Sequence, residues 1–103
     1  KLADETPMGD MARTAISMVT DSVDAFVRED LDLAHQVIAR DDRVDQLFLN
    51  MRKQLANMIG RGEDASACLD MLMIAKYFER IGDHACNIAQ WVEYAITGDY
   101  EDD

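Results

Sequence analysis

The chain of 103 residues carries 21 Asp and Glu against 10 Lys and Arg, a formal charge of −11. Such a surface repels nucleic acid and anionic lipid and suits cations or basic protein surfaces. With 49% apolar and 30% charged residues, it reads as one folded domain with a modest single core.

One Pro, sparse Gly and abundant Ala, Leu, Ile and Met favour an all-α chain. Lys1 to Glu5 forms a polar lead-in. Thr6 as N-cap and Pro7 as first helical residue open a helix over 7–28. Its stripe is Met8, Met11, Ala12, Ala15, Met18, Val19, Val23, Phe26 and Val27. Glu29-Asp30 makes the first turn, with Asp30 capping a second helix over 31–59. That helix shows Leu33, Val37, Val44, Leu47, Phe48, Met51, Leu55 and Met58, and ends at Gly60-Arg61-Gly62. Asp64 caps a third helix over 65–97, with Met71/Leu72, Ile74, Ala75, Phe78, Ile81, Ala85, Ile88, Ala89, Val92 and Ile96 as its stripe. Gly82 lies inside it, which implies close approach of a neighbouring helix. Thr97-Gly98 stops it. Residues 1–98 thus predict one antiparallel three-helix bundle, and 99–103 an acidic tail.

Several function classes fall away. No apolar run reaches the ~20 residues of a membrane span, and no signal peptide is visible. A start at Lys1 without Met implies processing or a fragment of a longer chain. Cys68 and Cys86 are 18 positions apart on one helix, ~27 Å, so they cannot form a disulfide. Free buried thiols fit a reducing cytoplasm.

The chemistry concentrates in two acidic pairs. Glu79 and Asp83 on the third helix are i, i+4, with Asn87 one turn further, and Asp41 and Asp45 on the second helix have the same spacing. Each pair stands ~19 residues, or ~28 Å, from the Gly62 turn on antiparallel axes and on the same flank of its stripe. The pairs are therefore expected to meet at one edge of the bundle. Two readings are open from spacing alone. A bound cation neutralises the four carboxylates, or Arg43, Arg52 and Arg80 do so as surface ion pairs. Asp42 and Asn87 are candidate rim ligands. His84 and His35 read as solvated side chains. Met73, Trp91 and Tyr94 fall off the main stripe. They are either scattered surface apolars or a second apolar face that packs on another domain or copy.

The run Glu79-Arg80-Ile81-Gly82-Asp83-His84, continued by Asn87-Ile88, resembles the last-helix motif of the PhoU family, and Asp41-Asp42-Arg43-Val44-Asp45 fits its second acidic motif. The resemblance covers nearly the whole chain up to Gly98. It implies a three-helix repeat with Asp41, Asp45, Glu79 and Asp83 as metal ligands, for iron or zinc, with Mg or Mn chemically admissible. It further implies a cytoplasmic negative regulator of phosphate uptake, with a phosphate ABC transporter and a sensor histidine kinase as partners. Family members usually carry two such repeats, and Tyr94-Ala95-Ile96-Thr97-Gly98 looks like the end of the second. The chain then reads as a C-terminal half, a regulatory domain of a transporter or a single-repeat relative, and as a homo-oligomer through its uncovered face.

Other classes fit less well. A generic helical interaction domain needs only the bundle. A ferritin-like di-metal enzyme needs Glu-x-x-His on two helices, yet Ile81 precedes His84 by three and Asp32 precedes His35 by three. A His-phosphotransfer bundle using His84 would set the phosphoryl group beside Asp83. No nucleophile–base arrangement or phosphate-cradling Gly loop is present, so no catalysis is expected.

Overall fold

A computed structural model describes residues 6–98 as three helices, α1 (Met8–Arg28), α2 (Leu31–Gly60) and α3 (Ala65–Thr97). The lead-in at 1–5 and the acidic tail at 99–103 lie outside the described residues. Each helix packs against the other two, and the bundle measures 53 × 26 × 16 Å. Up-down-up connection leaves α1 and α3 parallel, with α2 antiparallel to both. Among the described residues, no helix is long and apolar enough to cross a membrane.

The helix ends follow from local chemistry. Pro7 stands one step outside α1, not at its first position. Thr6 Oγ1 accepts from Met8 N at 3.4 Å and the Pro7 carbonyl accepts from Met11 N at 2.9 Å. Asp30 serves both flanking helices. Its N–H donates to the Ala25 carbonyl at 2.9 Å, and its Oδ1 accepts from Leu33 N at 3.0 Å. This closure holds Glu29 in the left-handed region at φ 53°. At the far end Gly62, at φ 95°, lets Gly62 N donate to Ile59 O and Glu63 N to Met58 O, both at 3.0 Å. Asp64 then caps α3 through Ser66 N.

The core departs from the expected stripes in a consistent way. On α1 the buried row is Met8, Met11, Ala15, Met18, Ser22 and Ala25, stepping by three and four. Val19, Val23, Phe26 and Val27, expected inside, are exposed, Phe26 to 65% and Val27 to 71%. On α3 the buried residues are mostly small, including Ala75, Gly82, Ala85, Cys86 and Ala89, while Ile74, Ile81 and Ile88 are exposed. Small side chains on the inward line let the helices approach closely, and the larger aliphatics are turned to the flank. Both cysteines are free and buried, as expected.

Among the described residues, two long-range polar ties fix the helices to one another. Arg40 of α2 donates to Asp21 Oδ2 at 2.6 Å and Ser17 Oγ at 2.9 Å on α1. His35 of α2 meets Glu93 of α3 at 2.7 Å.

Candidate metal centre

The buried row of α2 runs through Ala34, Val37, Val44, Met51, Leu55 and Met58. Between Val37 and Val44, four residues on from one and three before the other, that row passes through Asp41. A carboxylate therefore occupies a position where spacing calls for an apolar side chain. On α3, Gly82 is buried at the level of Val44. The neighbours of these two residues in sequence, Asp45 and Asp83, are thereby drawn toward Asp41.

One carboxylate oxygen from each of Asp41, Asp45 and Asp83 lies within 4.8 Å of the others. Asp41 and Asp45 are half-buried and Asp83 is exposed. The Asp41 Oδ1 is fully buried and has no hydrogen-bond partner among the described residues. Burial, above all, pushes the Asp41 carboxyl up to about 6. A hydrogen bond to Asp83, available only to the protonated acid, and the charges of Asp45, Asp83 and Asp42 act in the same direction. Asp45 is also raised, by burial first and then by Asp83, Glu79 and Asp42.

Two cations of the neighbourhood, Arg80 and Lys76, are engaged elsewhere. Among the described residues, no Arg or Lys forms an ion pair with Asp41, Asp45 or Asp83. Arg80 lies over the Tyr77 ring at 5.6 Å. Lys76 Nζ binds Glu79 Oε1 at 2.6 Å and stands 5.0 Å from the Phe48 ring centre. The fourth expected ligand, Glu79, is thus held by a lysine outside the converging trio, although its charge still reaches Asp45. The Lys76–Glu79 spacing of three was readable in the sequence.

The remaining candidates separate. Asp42 is exposed and adds its negative charge to both Asp41 and Asp45. Asn87 does not stand with the trio in the role expected for it: it lines a groove between α1 and α3 with Phe26, His84 and Trp91. Helix rotation explains this, because i, i+4 steps drift by about 40° per pair and carry the row from Glu79 around α3 toward α1. Cys86, one turn past Asp83, was missed as a neighbour of the site. Burial first, then the field of Asp41 and Asp83, pushes its thiol up to about 11.

The arrangement fits a cation. Three oxygen donors converge from two helices, one with a desolvated and unpartnered oxygen. Among the described residues no side chain of opposite charge pairs with them, and Lys76 offsets Asp45 only from a distance. An all-oxygen donor set suits hard or borderline ions.

The family model described as "PhoU domain" matches residues 8–92. Among curated proteins, the chain is similar to a phosphate-specific transport system accessory protein PhoU homolog of Clostridium acetobutylicum, 37% identical over 85% of this chain and 41% of that protein. A homolog from Caulobacter vibrioides is 35% identical over 95% of this chain and 46% of that protein. The phosphate-specific transport system accessory protein PhoU of Escherichia coli is 34% identical over 85% of this chain and 37% of that protein. The chain spans less than half the length of each of these relatives. No solved structure matches it.

Proposed function

The chain belongs to the PhoU family, and from that premise we propose that it is a non-catalytic regulatory unit of phosphate uptake whose acidic edge binds a metal ion. Asp41, Asp45 and Asp83 would hold the ion, and Glu79 would join them on release from Lys76. Bound there, the ion would offset much of the edge's negative charge and supply a Lewis-acidic centre to which an anionic or carboxylate-bearing partner could be bridged. The observation that carries this reading is the buried, unpartnered Asp41 Oδ1 within the converging trio. Iron or zinc is the expected occupant on family resemblance. The oxygen donors equally admit Mg or Mn.

The regulatory part of the reading rests on relatives named as accessory proteins of phosphate-specific transport. On the same resemblance, the unit acts as a negative regulator between a phosphate ABC transporter and a sensor histidine kinase in the cytoplasm. Among the described residues the edge bears no basic cluster that could take phosphate directly, so a bound cation would be the group there that meets an anion.

Elemental analysis of protein purified without chelator, joined to thermal melts with and without added Fe, Zn, Mn or Mg, tests the metal assignment. Ligand that binds only the folded state raises the melting temperature with its concentration. Identical melts with metal and with chelator, and no metal retained, would falsify it.

A further inference from the structure

Counted outward from Gly62 along the antiparallel α2 and α3, Asp41 and Asp83 stand 21 residues away, Asp45 and Glu79 stand 17, and Phe48 and Lys76 stand 14. Equal distances put each pair at one level. The acidic edge therefore has three rungs, and the rung nearest Gly62 carries a cation over an aromatic ring. Lys76 Nζ lies 5.0 Å from the centre of the Phe48 ring on α2 and 2.6 Å from Glu79 Oε1 on its own helix. Ring and carboxylate hold the ammonium from two helices at once. Glu79 is the more buried partner, its side chain 15% exposed against 44% for Lys76, and a carboxylate so placed needs a positive neighbour. Asp45 feels both members of the pair: Glu79 raises its carboxyl and Lys76 lowers it. An ordinary i, i+3 pair on a solvated helix face contributes little. This one has a third contact on another helix and acts on a carboxylate of the candidate centre.

We propose that Lys76 is the built-in counter-ion of the acidic edge: it holds Glu79 in metal-free protein, yields that carboxylate to an arriving multivalent cation, and so sets how tightly the edge binds metal. This rests on the metal reading of Asp41, Asp45 and Asp83. Two effects act in the same direction. A metal ion has to compete for Glu79 with an ammonium already at hydrogen-bond distance. It also meets Lys76 as like charge, an effect that salt weakens at an exposed edge. Removing the ammonium removes both. Without Glu79 only the repulsion is left, so the gain from removing Lys76 has to shrink. A lysine that serves only the helix would show neither effect. The class of ion follows from the same competition. A monovalent cation offers Glu79 no more charge than the ammonium it would replace, so Lys76 biases the edge toward divalent and trivalent ions.

Binding of Mn²⁺ to the 103-residue chain, read from the electron paramagnetic resonance of the free ion, tests the proposal. Lys76→Gln should bind Mn²⁺ about tenfold more tightly than wild type, the scale of one hydrogen bond to a charged group. In a Glu79→Gln background the same change should gain roughly threefold or less, the screened repulsion alone. Lys76→Arg keeps the charge, pairs with carboxylates and stacks on rings, so it should stay near wild type. Met73→Gln, at an exposed position one turn earlier on α3, should change nothing. A measurement on wild type alone removes any dependence on how the variants fold: saturating Zn²⁺ should shift the carboxyl carbon resonance of Glu79 together with those of Asp41, Asp45 and Asp83. Equal affinities of wild type and Lys76→Gln overturn the role of Lys76 and leave the metal centre standing. So does a gain that is the same with and without Glu79, or a Glu79 resonance that stays still while the three Asp resonances move. No Mn²⁺ bound by either protein overturns both readings.

Discussion

A β-carbon on Gly82 would lie 3.3 Å from Val44 Cγ1 and 3.4 Å from its Cγ2, with Met18 Sδ at 3.6 Å behind. A larger residue here would fit only if the Val44 side chain gave way by a few tenths of an ångström, and Asp83 and Asp45 follow directly in sequence. Alanine at 82 gains ~1 kcal/mol of helix propensity. It also overpacks a fully buried, β-branched neighbour with one favoured rotamer, at a cost of ~1–3 kcal/mol. Gly82→Ala should destabilise by about 1 kcal/mol net. In a Val44→Ala background the same change should cost less, so the two couple in a double-mutant cycle measured by urea unfolding.

Asp41→Asn removes charge and keeps shape. Its amide can donate to the carboxylates of Asp45 or Asp83, where the ionised native side chain repels them. Metal-free protein should gain on the order of 1 kcal/mol, and the metal-induced rise in melting temperature should disappear. An unchanged metal response would show that the ion binds elsewhere. A metal-free variant that is less stable would show that the charge has a compensating partner.

The same carboxyl sets a pH dependence. In the folded chain Asp41 titrates near 6, above its ordinary value of 3.8. Folding therefore favours its protonated form. The stability it contributes is fully present below about pH 4 and is lost as pH rises through 6. Between pH 4 and 7, the melting temperature of metal-free wild type should fall relative to that of Asp41→Asn. With metal bound the order should invert, because the ion competes with protons for the same oxygens. Parallel curves for the two proteins in chelator would contradict the assignment.

Glu29 occupies a left-handed conformation at φ 53°, which costs an L-residue with a β-carbon roughly 1 kcal/mol. Glycine adopts it without that penalty but loses more entropy on folding. Glu29→Gly should stabilise by about 0.5 kcal/mol, a few degrees in melting temperature. Glu29→Val, β-branched, should do the reverse.

Helix number, turn positions and the meeting of Asp41, Asp45 and Asp83 were legible because each depends on local spacing or on counting from Gly62. Which line of each stripe faces inward was not. When a helix bears two apolar rows one residue apart, periodicity reports a broad stripe centred between them, and only the partner helices decide the rest. Hence Ser22 and Ala25 are inside while Phe26, Ile81 and Ile88 are out. Glu79 and Asn87 depart from the expected ring for a related reason. An i, i+4 column coils around its helix, and Lys76 on the next turn competes for the first of its oxygens.

The connections at Glu29-Asp30 and Arg61–Asp64 have a consequence for the order of assembly. Each joins its helices through two to four residues whose hydrogen bonds are already those of the helix ends, so little loop entropy remains to be lost. The α1–α2 hairpin brings together Arg40, Ser17 and Asp21, groups that attract from the first encounter. Docking α3 instead carries Asp83 against Asp41 and Asp45. In metal-free solvent that step works against like charge, so it should be the late one, and the one that lower pH or a cation hastens. A chain of such local connectivity folds on a scale of roughly microseconds to milliseconds, and the rate at which its last helix closes would then vary with the ions around it.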